Sequence, residues 1–561
     1  MPNRNAAPNL FHTSHFIQWR QIRQFISLSC ICLFLIVSCS HRPRAISPAG
    51  SPSSTGNGRI TVGTTLKPRL LDPAEAYEVA ALGLLYNLSD RLYTYKTGTT
   101  GTTELTPQLA TALPKVSADN LTYTIPIRRG VVFHDGTPFN AAAMTFSLQR
   151  FIQNAGKPSF LLSDIVDSVK ATGEYELTIK LKKPFAAFPA LLAFNGTCAV
   201  SPKAYEIGKG KFQPSTFVGT GPYKLAQYGP DSLRFDVFDK YWGEKPANQG
   251  INLQIFDGNP ANLYNSFRTG AVDVAYLSLD PDQIHSLIER AKDGSYQAIA
   301  AQGNVVTYWA LNVKQKPLDN PQVRQAIAAI VNRQLLNQRV LQDQAVPLYS
   351  LVPNKFDVYQ PVFKQYGDGN LEKAKQLLSQ AGYSVANPLK LQIWYPSGST
   401  ARGLAAATLK ASAEQQLGGI LQFEVNTVDA TTAFKQIGKG IYPSFLLDWY
   451  PDFLDADNYL QPFLACDKGS AATGCDQGGS QSQGSFYYSD RVNQLLDRER
   501  KEQNGKARQQ IFTEIQTQLA QDVPYIPLWQ DKDYVFARKG ISGVAISPSQ
   551  ALPYSTMRKQ G

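Results

Sequence analysis

Residues 448–460 read DWYPDFLDADNYL, which sets Asp448, Asp452, Asp455 and Asp457 among Trp449, Tyr450, Phe453 and Tyr459. Carboxylates favour water and aromatic rings favour cover, so a stretch that mixes them needs a reason. Four kinds of chemistry suit it: a metal site, a catalytic carboxylate pair, a solvated loop, or a cradle for something cationic and apolar. A catalytic pair is poorly served, since Asp452 and Asp455 stand only three residues apart on a loop. No Gly-x-Ser-x-Gly occurs, and no cysteine has a fitting histidine, so no nucleophile–base set is expected. Beyond residue 38 the histidines are His41, His134 and His285, which form no ligand-like pair. The glycine-punctuated VGTGPYKL at 218–225 is not followed by Gly-Lys-Ser/Thr, so it predicts no phosphate cradle. Neither a catalytic residue, a metal nor a cofactor is expected.

Which side of a membrane the chain works on is written at its start. Arg20 and Arg23 precede QFISLSCICLFLIVSCS, and residues 1–44 hold no acid. The apolar core, about a dozen residues, is short for a membrane span and right for a signal-peptide core. It ends in Ile36-Val37-Ser38-Cys39, which resembles the lipobox of bacterial lipoproteins. That resemblance implies a signal peptide over 1–38, a lipidated Cys39, and a polar Ser/Pro/Gly-rich tether over 39–58. The chain is therefore expected to be exported and lipid-anchored on the periplasmic side of the membrane. Loss of residues 1–38 removes three arginines and lowers the formal charge from +11 to +8. No basic stripe interleaved with aromatics appears, so no nucleic-acid partner is expected.

Export permits disulfides. Cys39, Cys198, Cys466 and Cys475 remain after cleavage. Cys466 and Cys475 bracket CDKGSAATGC, without CxxC spacing or a nearby histidine, and are expected to form a bridge rather than a metal site. On the loop-entropy model such a bridge contributes about 2.5–3 kcal/mol. Cys198 is expected as a buried free thiol.

The elements that must position these residues are legible as patterns. The 561 residues, 43% apolar and 18% charged, suffice for two to four domains. RITVGTT (59–65), LTYTIPIRR, YELTIKL, LKLQIWY and LQFEVNTV read as strands, and HDGTP as a turn through Asp135-Gly136. Helices are predicted at 78–95, behind Asn140, over NPQVRQAIAAIVNRQLL, over LEKAKQLLSQAGY to Gly382, and over KARQQIFTEIQTQLAQD. Strands alternating with helices predict an α/β or mixed α+β fold.

In their order these segments resemble the family 5 extracellular solute-binding proteins of bacterial ABC importers, the oligopeptide-, dipeptide- and nickel-binding lipoprotein group. The resemblance runs from about residue 59 to 550. It is carried by LTYTIPIRRGVVFHDGTPFNAAAMTFSLQR, VGTGPYKL, PQVRQAIAAIVNR, LEKAKQLLSQAGY, DWYPDFLDADNYL and QDVPYIPL. It implies a periplasmic-binding-protein type II clamshell of two lobes with an inserted smaller domain and hinge crossings. Lobe I is expected from 59–96, 218–305 and 526–561, the inserted subdomain from 97–217, and lobe II from 306–525. Gly219 and Gly221 are expected near a crossing between lobes. The implied partners are a peptide ligand and the permease and ATPase subunits of an importer, with the binder itself a monomer. The alternative within the family is a nickel or metal-chelate binder; outside it stand a non-transport surface lipoprotein and a hydrolase.

In peptide-binding relatives a Trp-x-x-Asp-Tyr/Phe motif places its Asp against the ligand's α-ammonium. Here the motif falls on Trp449, Asp452 and Phe453, which with Tyr450 form the candidate ligand-binding set. Asp455, Asp457 and Asn458 are expected to cap the following helix. The chain departs from the family pattern at Ala456, at Ala430 after Asp429, and at Leu446, where some relatives carry an arginine for the peptide carboxylate. The amine end of the ligand is therefore better provided for than the carboxyl end.

Overall fold

The run at 59–65 forms β1 (Ile60–Thr64), buried or half-buried along its whole length, as a central parallel strand requires. The structure, a computed structural model, describes residues 58–96, 103–277 and 279–560. The expected signal peptide, Cys39 and nearly all of the tether lie outside the described residues.

Ten further strands join β1 in one mixed sheet. They are β2 (Tyr223–Tyr228), β3 (Ser232–Val237), β4 (Ile251–Ile255), β5 (Val274–Tyr276), β6 (Tyr296–Leu311), β7 (Ala345–Pro347), β8 (Leu389–Pro396), β9 (Leu421–Val428), β10 (Ser444–Trp449) and β11 (Tyr525–Arg538). Their order is β9-β8-β10-β6-β11-β5-β1-β4-β3-β2, with β7 paired to β11. The mixed α/β class read from the sequence is what the chain adopts. A separate antiparallel sheet collects Lys115–Val116, Thr122–Pro126, Glu176–Leu181 and Val166–Gly173, with the helix Ala141–Gln153 packed on it.

Two long strands tie the halves of the main sheet together. Over Tyr296–Gln302 the strand β6 pairs with Lys532–Arg538 of β11, whose end also pairs with β5. Over Val306–Ala310 it pairs with Tyr525–Gln530, and there β10 and β7 join. Between the two paired stretches the register shifts and residues 303–305 leave the ladder. Gly303 sits at this break because a Cβ there would lie 2.9 Å from the Asp531 carbonyl oxygen and 3.1 Å from the Asp533 carboxylate.

Most local expectations hold, with instructive exceptions. Asn140 caps its helix by accepting from the Ala143 N–H at 3.1 Å. Gly136 takes φ +84° in the predicted turn, and Phe133 is fully buried. The periodic run from 321 is two helices, Pro321–Ile330 and Arg333–Leu341. Asn332 accepts from Leu335 N–H and starts the second helix before the first can continue. The predicted helix over 78–95 stops at Leu88, and Tyr93–Tyr95 is a strand. Gly219 and Gly221 pack against Leu88 and Ser89 at the end of Val79–Leu88, where a Cβ on either would collide with backbone.

Cys466 and Cys475 are bridged, with their Cα atoms 5.6 Å apart, across a short hairpin of Lys468–Ser470 and Gly474–Gln477. Cys198 is free and buried, and burial pushes its thiol up to about 12, so it is no nucleophile at neutral pH.

Candidate functional site

The opening stretch leaves the sheet at the end of β10 and turns into the helix Asp457–Leu464. Trp449 pairs in register with Val306 of β6, and its ring packs edge-on to Phe463 at 5.2 Å. Phe453 is buried and meets Phe185 at 6.0 Å. Tyr450 is 50% exposed. Together with Asp452, these three line a cavity of about 950 Å³ whose other walls include Tyr77, Phe194, Asn195, Asn304 and Asp531–Asp533. The structure thus brings the four candidate ligand-binding residues to one cavity.

Asp452 is half-buried there, and its Oδ1 accepts the Tyr77 O–H at 2.7 Å. Its backbone N–H donates to Asn458 Oδ1 at 2.9 Å, which fixes the loop. Among the described residues it makes no ion pair. Burial raises its carboxyl to about 6, against the opposing pull of the Tyr77 and Asn458 hydrogen bonds. A carboxylate kept ionised at neutral pH without a cation beside it favours a cationic visitor.

The other three aspartates are already engaged. Asp448 pairs with Arg402 at 2.6 Å. Asp455 accepts both ends of the Arg508 guanidinium at 2.7 and 2.8 Å, and Asp457 accepts Arg500 at 2.7 and 2.9 Å. This corrects the expected capping roles. Asp455 does accept the Asp457 N–H at 2.9 Å, but Asp457 and Asn458 lie inside the first turn behind Ala456. Two fork-to-fork pairs pin the loop to the helices Asp490–Lys501 and Gly505–Asp522. The stretch is therefore a braced loop with one carboxylate spared.

Sequence reasoning missed Tyr77, Asp531 and Asp533. The last two carried a readable signal, because two acids in WQDKDYVF interrupt a strand that is apolar and aromatic on either side, and residues two apart share a face. Tyr77 carried none; it reaches Asp452 across 375 positions of sequence. Among the described residues, no three His, Cys, Asp or Glu side chains converge as metal ligands. No helix of those residues is long and apolar enough to cross a membrane.

The family model for bacterial extracellular solute-binding proteins, family 5, matches residues 104–471. The chain is 29% identical over 462 residues to the glutathione-binding protein GsiB of Salmonella choleraesuis (strain SC-B67), covering 78% of this chain and 83% of the relative. It is 27% identical over 491 residues to di/tripeptide-binding protein 2 of Pseudomonas aeruginosa (strain UCBPP-PA14), covering 81% and 87%. In fold it is similar to the periplasmic binding protein DppA of Helicobacter pylori in complex with the peptide STSA. That match has a TM-score of 0.70 at 23% identity and covers 90% of this chain and 98% of the other. A mixed sheet crossed by two long strands, a cavity at the break between its paired stretches, and a family match over most of the chain lead to one conclusion: this protein belongs to the family 5 bacterial extracellular solute-binding proteins.

Proposed function

We propose that the chain is the peptide receptor of an ABC importer, capturing peptides by their α-ammonium and handing them to a membrane permease without transforming them. The observation that carries this reading is the Asp452 carboxylate, held by Tyr77 in an aromatic-walled cavity with no cation of its own among the described residues. Trp449 and Phe453 cover the pair from water, and flat aromatic walls tolerate varied side chains. In this reading lobe I, from 59–96, 218–305 and 526–561, closes against lobe II at 306–525, with 97–217 as the inserted subdomain. Closure about the crossing strands encloses the ligand. The receptor acts as a monomer with separate permease and ATPase subunits.

The relatives' ligands do not carry over equally well. Glutathione has two carboxylates and one ammonium, so it asks for cations that the lining does not offer. Lys67 and Lys532 line the cavity, but Lys67 lies 3.6 Å from Asp257 and Lys532 donates to the Asp343 carbonyl at 2.9 Å. An ordinary peptide with a free amino terminus fits the walls better.

Titration calorimetry of one tripeptide in free and N-acetylated form tests the reading. Acetylation removes the ammonium and is expected to abolish measurable binding. Equal affinity for the two forms contradicts an amine receptor.

Anchoring is the second part of the proposal. Cys39, behind a short apolar run, carries a thioether-linked diacylglycerol and holds the receptor at the membrane, since two acyl chains anchor stably where one binds only marginally. Cys39→Ala protein is expected in the soluble fraction. Retention of that variant on membranes through covalent lipid contradicts the anchor.

A further inference from the structure

Asp531 and Asp533 stand two apart on β11, share one face, and line the same cavity as Asp452. Asp531 Oδ1 accepts the Trp529 indole N–H at 3.0 Å, and Asp533 accepts the Gln550 amide at 2.9 and 3.1 Å. Among the described residues neither makes an ion pair. The basic groups around them are occupied elsewhere. Arg402 is held by Asp448, Lys532 by the Asp343 carbonyl, and Lys67 by Asp257 and Asp231. Among the described residues Lys355 is the basic group that bears on Asp533, but its ammonium turns to the Gln302 carbonyl at 3.5 Å, and burial lowers it to about 8.

A second observation points the same way and does not depend on the acids. Asn195 and Asn304 line this cavity and are only 7% and 1% exposed. The amide of Asn195 donates to the Leu82 carbonyl at 3.1 Å, and that of Asn304 to the Pro548 carbonyl at 2.5 Å. Those bonds fix which way each amide faces, because a flip would set oxygen against oxygen. Among the described residues both Oδ1 atoms are then left as buried acceptors without a partner. Such atoms are unfavourable unless a donor arrives. Asn304 directly follows Gly303, where an added Cβ would lie 3.1 Å from the Asp533 carboxylate.

We infer that the cavity holds a second cation subsite, built from Asp531 and Asp533 with the free amide oxygens of Asn195 and Asn304, and that the preferred ligand is a peptide with a basic side chain. This rests on the peptide-receptor reading and sharpens its substrate class. Lysine and arginine side chains are donors only, which is what a wall of acceptors selects. An acidic side chain in the same place meets the repulsion of both carboxylates. Burial, with the charges of Asp448 and Asp533 nearby, raises the Asp531 carboxyl to about 7; burial raises that of Asp533 to about 6. Both are the marks of carboxylates short of a cation. The Asp452 carboxyl is raised by burial, against the Tyr77 and Asn458 hydrogen bonds.

The test is calorimetry at pH 8 with tripeptides of alanine carrying one lysine at the second or third position, each against its glutamine counterpart. The better lysine peptide is expected to bind at least about tenfold tighter than its counterpart, roughly 1.4 kcal/mol. In the Asp531→Asn/Asp533→Asn protein that ratio is expected to fall below about threefold, within the energy scale of one charge pair. A lysine preference that is absent from the wild type, or that survives in the variant, overturns the inference while leaving the receptor reading intact. Failure of every free-amine tripeptide to bind overturns both. The wild-type comparison needs no folded variant, so the inference is exposed to refutation in either case.

Discussion

Asp452→Asn is expected to weaken binding of a free-amine tripeptide on the order of 10²- to 10³-fold. In the proposed complex the carboxylate and the ammonium meet behind Trp449 and Phe453, and the amide cannot neutralise the charge. Truncating one partner of a desolvated pair typically costs about 2–5 kcal/mol, much of it from the charge left behind. Folding should not suffer, because an asparagine oxygen can still accept the Tyr77 O–H. A carboxyl raised to about 6 in the fold weakens stability as pH climbs from its unfolded value to about 6, and the amide removes that slope. The variant should therefore unfold no earlier than the wild type at pH 8. Wild-type affinity for a neutral-side-chain peptide should decline as pH drops below about 6, and the Asn variant should lose the part of that decline due to this group. A variant that folds normally and binds within about fivefold of wild type removes Asp452 from the site.

Asp72→Asn is expected to cost about 3–5 kcal/mol of stability, read as a lower urea midpoint. Asp72 and Arg150 are 0% and 1% exposed and share a two-pronged bond at 2.6 and 2.7 Å. The same carboxylate accepts the Ala74 and Gln213 N–H groups at 2.9 and 2.6 Å, and the guanidinium reaches the Glu206 and Lys211 carbonyls. One pair thus fastens the loop after residue 71, the helix Ala141–Gln153 and the segment 206–213. An asparagine leaves a buried guanidinium without its counter-charge. Adding Arg150→Met should recover part of the loss, because the unpaired charge then goes too. A midpoint unchanged in Asp72→Asn contradicts the bracing role.

How far the sequence led depends on how local each signal is. The disulfide, the Asn140 cap and the Gly136 turn are set by a few adjacent residues, and all three were readable. The strand β6 was not. YQAIAAQGNVVTYWAL has Gly303 at its centre and is buried on both faces from Gly303 to Leu311, so it shows no alternation. The aromatic–acid stretch announced itself, yet its four aspartates could not be sorted without their arginines, which lie more than forty positions away at Arg500 and Arg508. Tyr77, Asn195, Asn304 and Asp533 meet at the cavity from four separate segments. Nothing in any one segment records the others.

The break in the β6–β11 ladder sets where the sheet can crease. An unbroken antiparallel ladder resists bending because its cross-strand bonds must shear together, whereas one interrupted over residues 303–305 folds about the gap. Asn304 and Val305 lie in that gap, and they are also cavity wall. On the proposed reading a ligand touches the crease line itself, so occupancy and crease angle are one mechanical variable. Torsional stiffness at three backbone positions then tunes affinity as surely as any side chain that meets the peptide.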